Sequence, residues 1–152
     1  MTGAKRQMSE TYRVAALLAC TGGFLDAYSY VCRDHVFANA QTGNIVLLGI
    51  SAFNRDWLGM VKYLVPIVMF ALGVLMAEWI RKRVVNTRFH WRQCIIIVEA
   101  AVLVAAAFIP IGRYNIGANI MISFVCSLQT QSFRKVHSIT FATTMCTGNL
   151  RT

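Results

Sequence analysis

Charged residues are scarce in this chain. They make up 14% of its 152 residues, whereas a soluble domain normally carries about 25%. Hydrophobic residues account for 57% of the chain. Because so few charges cannot cover a water-facing surface, the composition predicts a protein that lies in a lipid bilayer.

Acidic residues are scarcer than basic ones, with 6 Asp and Glu against 15 Lys and Arg and a net charge of +9. Such an excess can indicate nucleic-acid binding. Here, however, the bases lie between apolar runs, where they orient a membrane protein. The densest group occupies residues 81–92 and predicts a cytoplasmic loop. The expected partner is therefore the bilayer and not a nucleic acid.

Enzyme signatures are also missing. The chain has no G-x-S-x-G, P-loop or dinucleotide fingerprint. The histidines (His35, His90 and His137) lie in separate loops, and the five cysteines form no C-x-x-C pair. The cysteines are best interpreted as small buried hydrophobes. We therefore expect that the chain binds no metal or cofactor and is not an enzyme. An enzyme whose catalytic pair is assembled across helices is the third alternative, after the two functions considered below.

Four apolar segments are long enough to cross a bilayer core as helices. They are residues 14–32, 64–80, 94–111 and 116–133. Pro66 is expected in the first turn of the second segment, where proline costs little. Amide and hydroxyl side chains line the last segment: Asn119, Ser123, Ser127, Gln129 and Gln131. That polarity is too high for contact with lipid, so the last helix is expected in the interior.

Residues 36–53 begin with small and polar side chains and end in an apolar run. The pattern favours a loop or helix start, with Thr42 or Asn44 as N-cap, followed by a short apolar helix of about half a membrane thickness. We predict a re-entrant or broken element, which must be buried in protein or line a cavity. The N-terminus is then cytoplasmic, and few bases remain on the outer side: Arg33, Arg55, Lys62 and Arg113.

The tripeptide Thr42-Gly43-Asn44 returns as Thr147-Gly148-Asn149, and the same shift superimposes Asp26 on Gln131. With the orientation above, the two copies run in opposite directions. We predict an all-α polytopic transmembrane helical bundle with an inverted repeat of three spans per half. Residues 1–112 form the first repeat and residues 113–152 the start of a second, incomplete one.

These paired stretches resemble the signature of the YoaK-like family of bacterial inner-membrane proteins. The first comprises residues 23–27 and 36–49, and the second residues 128–131, 142–144 and 147–150. The resemblance implies a multi-pass, six-span inner-membrane protein of unassigned activity. Family members run to two complete halves, so it also implies that a C-terminal part is missing here. Where the family commonly shows Asn, this chain has Thr130 or Ser132 beside Gln131.

The leading hypothesis is a transporter- or permease-like protein for a small polar solute or ion. Its expected site residues are Asp26, Asn39, Thr42, Gly43, Asn44, Gln131, Thr147, Gly148 and Asn149. A half-helix starting near Gly43 offers free backbone N–H groups, and Thr and Asn add polar ligands. A carboxylate at membrane depth, such as Asp26, is costly and should face protein or water.

The alternative is a non-transporting membrane scaffold or partner-binding subunit, in which the same polar residues join helices. Thr-Gly-Asn would then only cap helices and let backbones pack closely. Glu99 is either a proton-linked group or a helix-packing one. A second copy of the chain, or the missing C-terminal part, is a further expected partner, because broken helices would otherwise leave backbone polar groups against lipid.

Overall fold

The computed structural model describes residues 12–83, 91–133, 135–136 and 139–140. These residues form five helices: α1 (Tyr12–Cys32), α2 (Gln41–Phe53), α3 (Trp57–Arg83), α4 (Trp91–Ala107) and α5 (Asn115–Ser132). Two short strands, β1 (Lys135–Val136) and β2 (Ile139–Thr140), pair antiparallel after α5. The prediction of a helical protein is confirmed. Within the described ranges, residues Arg13–Cys32 and Trp57–Arg83 are long and apolar enough to cross a membrane.

α3 begins earlier than the sequence suggested. The backbone N–H of Gly59 donates to the Asp56 side-chain Oδ1 at 3.0 Å, so Asp56 caps the helix in the manner of an N-cap aspartate. Pro66 therefore lies inside α3, and its expected position in the first turn is wrong. A proline inside a membrane helix is tolerated where neighbouring groups satisfy the backbone, and Pro66 is buried.

α2 is a 13-residue helix, about 20 Å long. Ala40 occupies its N-cap position without a side-chain cap bond, so the prediction that Thr42 or Asn44 caps it is wrong. The physical reason is that the Gly43 N–H already donates to the Ala40 carbonyl at 2.8 Å, which closes the first turn.

α5 is the central helix. It packs mainly against α3 and α4 and more lightly against α1, while α2 packs against α3. Eleven of its 18 residues are buried, among them Asn119, Ser123 and Gln129. The prediction that this polar helix lies in the interior is confirmed. Its buried cysteine, Cys126, fits the expectation for the cysteines, but Cys20 on α1 is exposed and does not.

α1 and α5 run antiparallel. Arg33, just after α1, contacts Asn115 at the start of α5, whereas Leu18 near the start of α1 contacts Gln129 near the end of α5. The end of α1 and the start of α5 thus lie at one end of the bundle, which we call the Arg33 end.

α3 runs parallel to α5. Gly73 faces Ser127, and further along both helices Glu78 is hydrogen-bonded to Gln131. A Cβ at Gly73 would overlap the Ser127 hydroxyl and come within 2.7 Å of the Phe124 carbonyl oxygen, so glycine permits the close approach. α3 therefore starts at the Arg33 end. Because α2 joins α3 through the short turn 54–56, α2 finishes at that same end.

The outer faces of the bundle are apolar. Large hydrophobic side chains stand exposed on α1 to α4, for example Leu17, Phe24, Val31, Ile45, Phe53, Leu75 and Ile97. So many exposed large hydrophobic side chains are unusual for a soluble monomer and suit contact with lipid.

Candidate functional site around Asp26 and Asn39

Asp26 lies in α1 and joins that helix to the loop before α2. Its Oδ1 accepts hydrogen bonds from the backbone N–H of Asn39 at 2.7 Å and of Ala40 at 3.4 Å. Bonds from N–H groups to a carboxylate are strong, and they offset the cost of placing Asp26 away from bulk water. Asp26 precedes Arg33 by seven residues, about 10 Å along a helix. The chain after α1 therefore dips about that far from the Arg33 end before α2 begins.

Asn39 forms a second link between this loop and α1. Its Nδ2 donates to the Gly22 carbonyl at 3.2 Å, which fixes the orientation of the amide. The side chain is only 8% exposed. Its Oδ1 has no hydrogen-bond partner among the residues that the structure describes. A buried acceptor left without a donor costs about 1–3 kcal/mol, so the position fits an acceptor that meets a bound molecule.

Asn44 is fully buried and shapes the loop. Its Oδ1 accepts from the Phe37 N–H at 2.9 Å, and its Nδ2 donates to the Phe37 carbonyl at 2.7 Å and to Gln41 Oε1 at 2.8 Å. Gln41 in turn donates to the Ala38 carbonyl at 2.8 Å. Both polar atoms of Asn44 are engaged, so this predicted site residue holds the loop in place.

Gly43 and Thr42 complete the first Thr-Gly-Asn element. A Cβ at Gly43 would come within 2.7 Å of the Phe37 ring, so the glycine lets that ring pack against α2. Thr42 is exposed. The Gly43 N–H, which was expected to be free for a ligand, is bound within the first turn. The second element, Thr147, Gly148 and Asn149, lies outside the described residues.

Gln131 lies near the end of α5, where its Nε2 donates to Glu78 Oε1 on α3. Glu78 also pairs with Arg81 at 2.7 Å. The structure thus places Gln131 beside Glu78, and it places Asp26 beside the loop before α2.

Glu99 lies on α4 and is 7% exposed. No residue in the described part of the chain donates a hydrogen bond to its carboxylate. Asp26 and Asn39 are the chain neighbours of Leu25 and Ala38, and Glu99 lies one turn before Leu103. The core around Cys126 also joins the elements that carry them, since it contains Leu25, Ala38, Ala106 and Ile122, with Leu103 packed against it. We call Asp26, Asn39 and Glu99 the interior acceptor group.

The interior acceptor group belongs to a wider pattern. The amides of Asn39, Asn119 and Gln129 each donate to a backbone carbonyl of α1 or of Arg33, at distances from 2.8 to 3.2 Å. In each case the amide oxygen has no partner within the described ranges. The buried hydroxyls of Ser123 and Ser132 share that property. The interior along α1 and α5 therefore contains several buried polar atoms that the described residues leave unpaired.

Arg33 is a buried residue that the sequence did not reveal. It was expected among the outer bases, but it is 1% exposed. Its guanidinium donates to Tyr28 Oη at 2.9 Å. It also donates to the Ile109 carbonyl at 2.8 Å and to the Pro110 carbonyl at 3.2 Å, both in the turn before α5, and to the Oδ1 of Asn115, the first residue of α5, at 3.2 Å. The only local signal was Tyr28, because the other partners are more than seventy residues away in sequence.

An apolar groove of about 400 Å³ separates α1 from α4. It is lined by Thr21, Phe24, Leu25, Tyr28, Leu103, Ala106, Ala107 and Ile122. Leu25 and Leu103 lie in the same region of the core as the interior acceptor group. Within the described ranges, no set of three His, Cys, Asp or Glu side chains is arranged to hold a metal ion.

Comparison with known proteins agrees with the membrane interpretation. The family model described as "Protein of unknown function (DUF1275)" matches residues 14–152. A curated relative, the UPF0700 transmembrane protein YoaK of Bacillus subtilis (strain 168), is 28% identical over 141 residues. The alignment covers 89% of this chain and 62% of the relative, so the chain spans less than two thirds of that protein's length. No solved structure matches the chain significantly.

Proposed function

The chain belongs to the DUF1275 family of membrane proteins of unknown function, and we propose that it acts as a transporter- or permease-like protein for a small polar solute or ion. The observation that carries the proposal is the buried side-chain oxygen of Asn39. It has no hydrogen-bond partner among the described residues, and Asn39 lies beside Asp26 and just before the short helix α2. A group that serves only packing is expected to be paired. An acceptor that binds and releases a solute is expected to be unpaired when the solute is absent.

The proposed topology is that of a multi-pass protein of the bacterial inner membrane with a cytoplasmic N-terminus. α2 is about 20 Å long, shorter than the bilayer core of about 30 Å. It starts near the level of Asp26 and finishes at the Arg33 end, where α1 also finishes. This course supports a re-entrant element that enters and leaves from the outer side. Short or broken helices that approach the site from mid-depth are typical of transporters.

The repeat is part of the same proposal. Residues 1–112 would form one half, and residues 113–152 would begin a second, inverted half. In a longer protein, or with a second copy as partner, a second Thr-Gly-Asn element would face the first across the repeat interface. Asp26 and Asn39 would then line a site shared by both halves, with Gln131 as the counterpart of Asp26.

Flux measurements on proteoliposomes test the proposal. Solid-supported membrane recordings during rapid exchange of NaCl, KCl or NH₄Cl should show currents above those of protein-free liposomes, and swelling assays with urea and glycerol cover neutral solutes. Asp26→Asn should abolish the flux and keep the fold. Flux at the level of empty liposomes for every one of these solutes would contradict the proposal.

A scaffold function is the second candidate, and it is favoured by a different observation. Arg33 and Asn44 form dense networks of hydrogen bonds that only hold elements together. Water access to Asn39 separates the two functions. A cysteine at position 39, in a background without other cysteines, should react with a water-soluble methanethiosulfonate in a permease and stay unreactive in a closed scaffold.

A further inference from the structure

We infer that the ligand of the interior acceptor group is a small monovalent cation, an alkali metal ion or an ammonium. This inference rests on the proposed function and narrows it from any small polar solute to one chemical class. Three features support it: the orientation of Asn39, the environment of Glu99 and the kinds of groups that converge there.

The Asn39 amide is oriented by its nitrogen. Since Nδ2 donates to the Gly22 carbonyl at 3.2 Å, the amide cannot turn its oxygen toward that carbonyl. The backbone N–H of the same residue is bound to Asp26. Both contacts fix the position of Asn39 Oδ1, which is buried without a donor in the part of the chain that the structure describes. A preorganised carbonyl oxygen of this kind is a suitable ligand for a hard cation or for an N–H donor.

Glu99 lies on the part of α4 that packs against the core cluster around Cys126. It lies one turn before Leu103 on α4, and Leu103 packs on the core cluster that contains Cys126 and Leu25, the neighbour of Asp26. Burying a carboxylate is costly unless it is paired, and none of the described residues pairs with Glu99. A cation between Glu99 and Asn39 would supply the missing partner.

The chemistry of the group selects the class of ligand. Asp26 and Glu99 are acidic, and Asn39 contributes an acceptor. No basic side chain of the described ranges is hydrogen-bonded to any of the three. An anion would meet acceptors and negative charge, so it is disfavoured. A divalent ion normally needs more carboxylate ligands at short range, and no set of three acidic, Cys or His groups is arranged for one in the described ranges. The remaining class of ligand is a monovalent cation that is bound by both carboxylate and amide oxygens.

Calorimetry and thermal unfolding of the purified full chain in detergent test the inference. Titration with NaCl, KCl, NH₄Cl or methylammonium chloride, against choline chloride at equal ionic strength, should give saturable binding and a raised unfolding midpoint for at least one small cation. The relative response to the alkali ions and to the ammonium ions identifies which kind is preferred.

Three variants locate the site. Glu99→Gln and Asn39→Leu should each weaken binding by about tenfold or more, which corresponds to losing one charged or ion–dipole contact. Asn39→Asp keeps an acceptor oxygen but loses the donor to the Gly22 carbonyl, so it should retain only part of the binding. The matched control is Asp34→Asn, which removes one carboxylate from an exposed position where the backbone φ of 66° suits Asn as well as Asp. This variant should bind like the parent.

The inference is overturned if no small cation binds more strongly than choline, or if Glu99→Gln binds as tightly as Asp34→Asn. Its failure can be told apart from failure of the proposed function. Cation binding without flux in proteoliposomes would refute the permease and leave the cation site standing. Flux of a neutral solute without cation binding would refute the cation site alone.

Discussion

The side-chain oxygen of Asn115 lies 3.2 Å from the Arg33 guanidinium and also accepts the Gly112 N–H at 3.0 Å. One amide oxygen thus links the end of α1 to the turn that starts α5. Asn119, one turn later, donates to the Arg33 carbonyl at 2.8 Å. The Arg33 guanidinium donates to four acceptors in the described ranges, and all four are neutral oxygens. Its charge is therefore stabilised by these hydrogen bonds and by the Tyr28 ring, whose centroid lies 5.4 Å from the guanidinium carbon.

We predict that Arg33→Lys destabilises the protein by about 2–4 kcal/mol, because an ammonium cannot reach four acceptors that a planar guanidinium serves together. The measurement is the unfolding midpoint in detergent. Arg55→Lys, in the exposed turn between α2 and α3, is the control and should be neutral. Equal midpoints for both variants would show that the Arg33 network contributes little.

The contact between α3 and α5 should not tolerate a methyl group. Gly73→Ala would place a Cβ against Ser127 and the Phe124 carbonyl, so we expect a loss of about 1–3 kcal/mol from overpacking. Gly23→Ala is the matched control, because nothing lies within 4 Å of its Cβ position in the middle of α1. That variant should be neutral or stabilising by up to about 1 kcal/mol. Thermal unfolding of both variants distinguishes the two effects, and a Gly73→Ala protein as stable as the parent would be the contrary result.

Asn44→Asp should destabilise the loop before α2. The change keeps the size of the side chain but removes the donor that serves the Phe37 carbonyl and Gln41, so buried acceptors lose their partner. We expect a cost of about 2–4 kcal/mol. Thr42→Ser, at the exposed position of the same tripeptide, should change the free energy of unfolding by less than about 0.5 kcal/mol. Similar effects at the two positions would mean that the tripeptide acts through something other than the Phe37 contacts.

At position 26 charge and hydrogen bonding can be separated. Asp26→Asn retains an oxygen that accepts from Asn39 and Ala40, so the fold should persist while ion-coupled flux is lost. Asp26→Leu removes the acceptor and should also lower stability, by about 1–3 kcal/mol. Unfolding midpoints and flux are measured on the same preparations. Full flux in Asp26→Asn would assign Asp26 a structural role only.

The orientation can be measured by cysteine labelling of intact cells and of inverted vesicles. Cysteines introduced at Arg13 and Lys82 should react from the cytoplasmic side, and a cysteine at Asn54 from the outer side. Arg13 and Lys82 on opposite sides would require α2 to cross the membrane, contrary to the re-entrant arrangement.

Much of this fold could be predicted from the sequence because apolar length and polar composition are local signals. The spans at 14–32 and 116–133 correspond closely to α1 and α5, and the interior position of α5 followed from its amides and serines. The start of α3 was missed because apolar content alone does not show a cap, although Asp56 three residues before Gly59 is such a signal. The partners of Arg33 and Asn44 could not be predicted, since tertiary hydrogen bonds depend on which segments meet.

The course of α2 determines how many times each half of the protein crosses the membrane. If α2 returns to the side from which it came, each half contributes an odd number of crossings, those of α1, α3 and α4. A chain that crosses an odd number of times ends on the opposite face from its start. Any second copy of the same unit, joined directly, must then be inserted upside down. Parity alone would enforce the inversion, and a mutation that turned α2 into a crossing helix would convert an antiparallel protein into a parallel one.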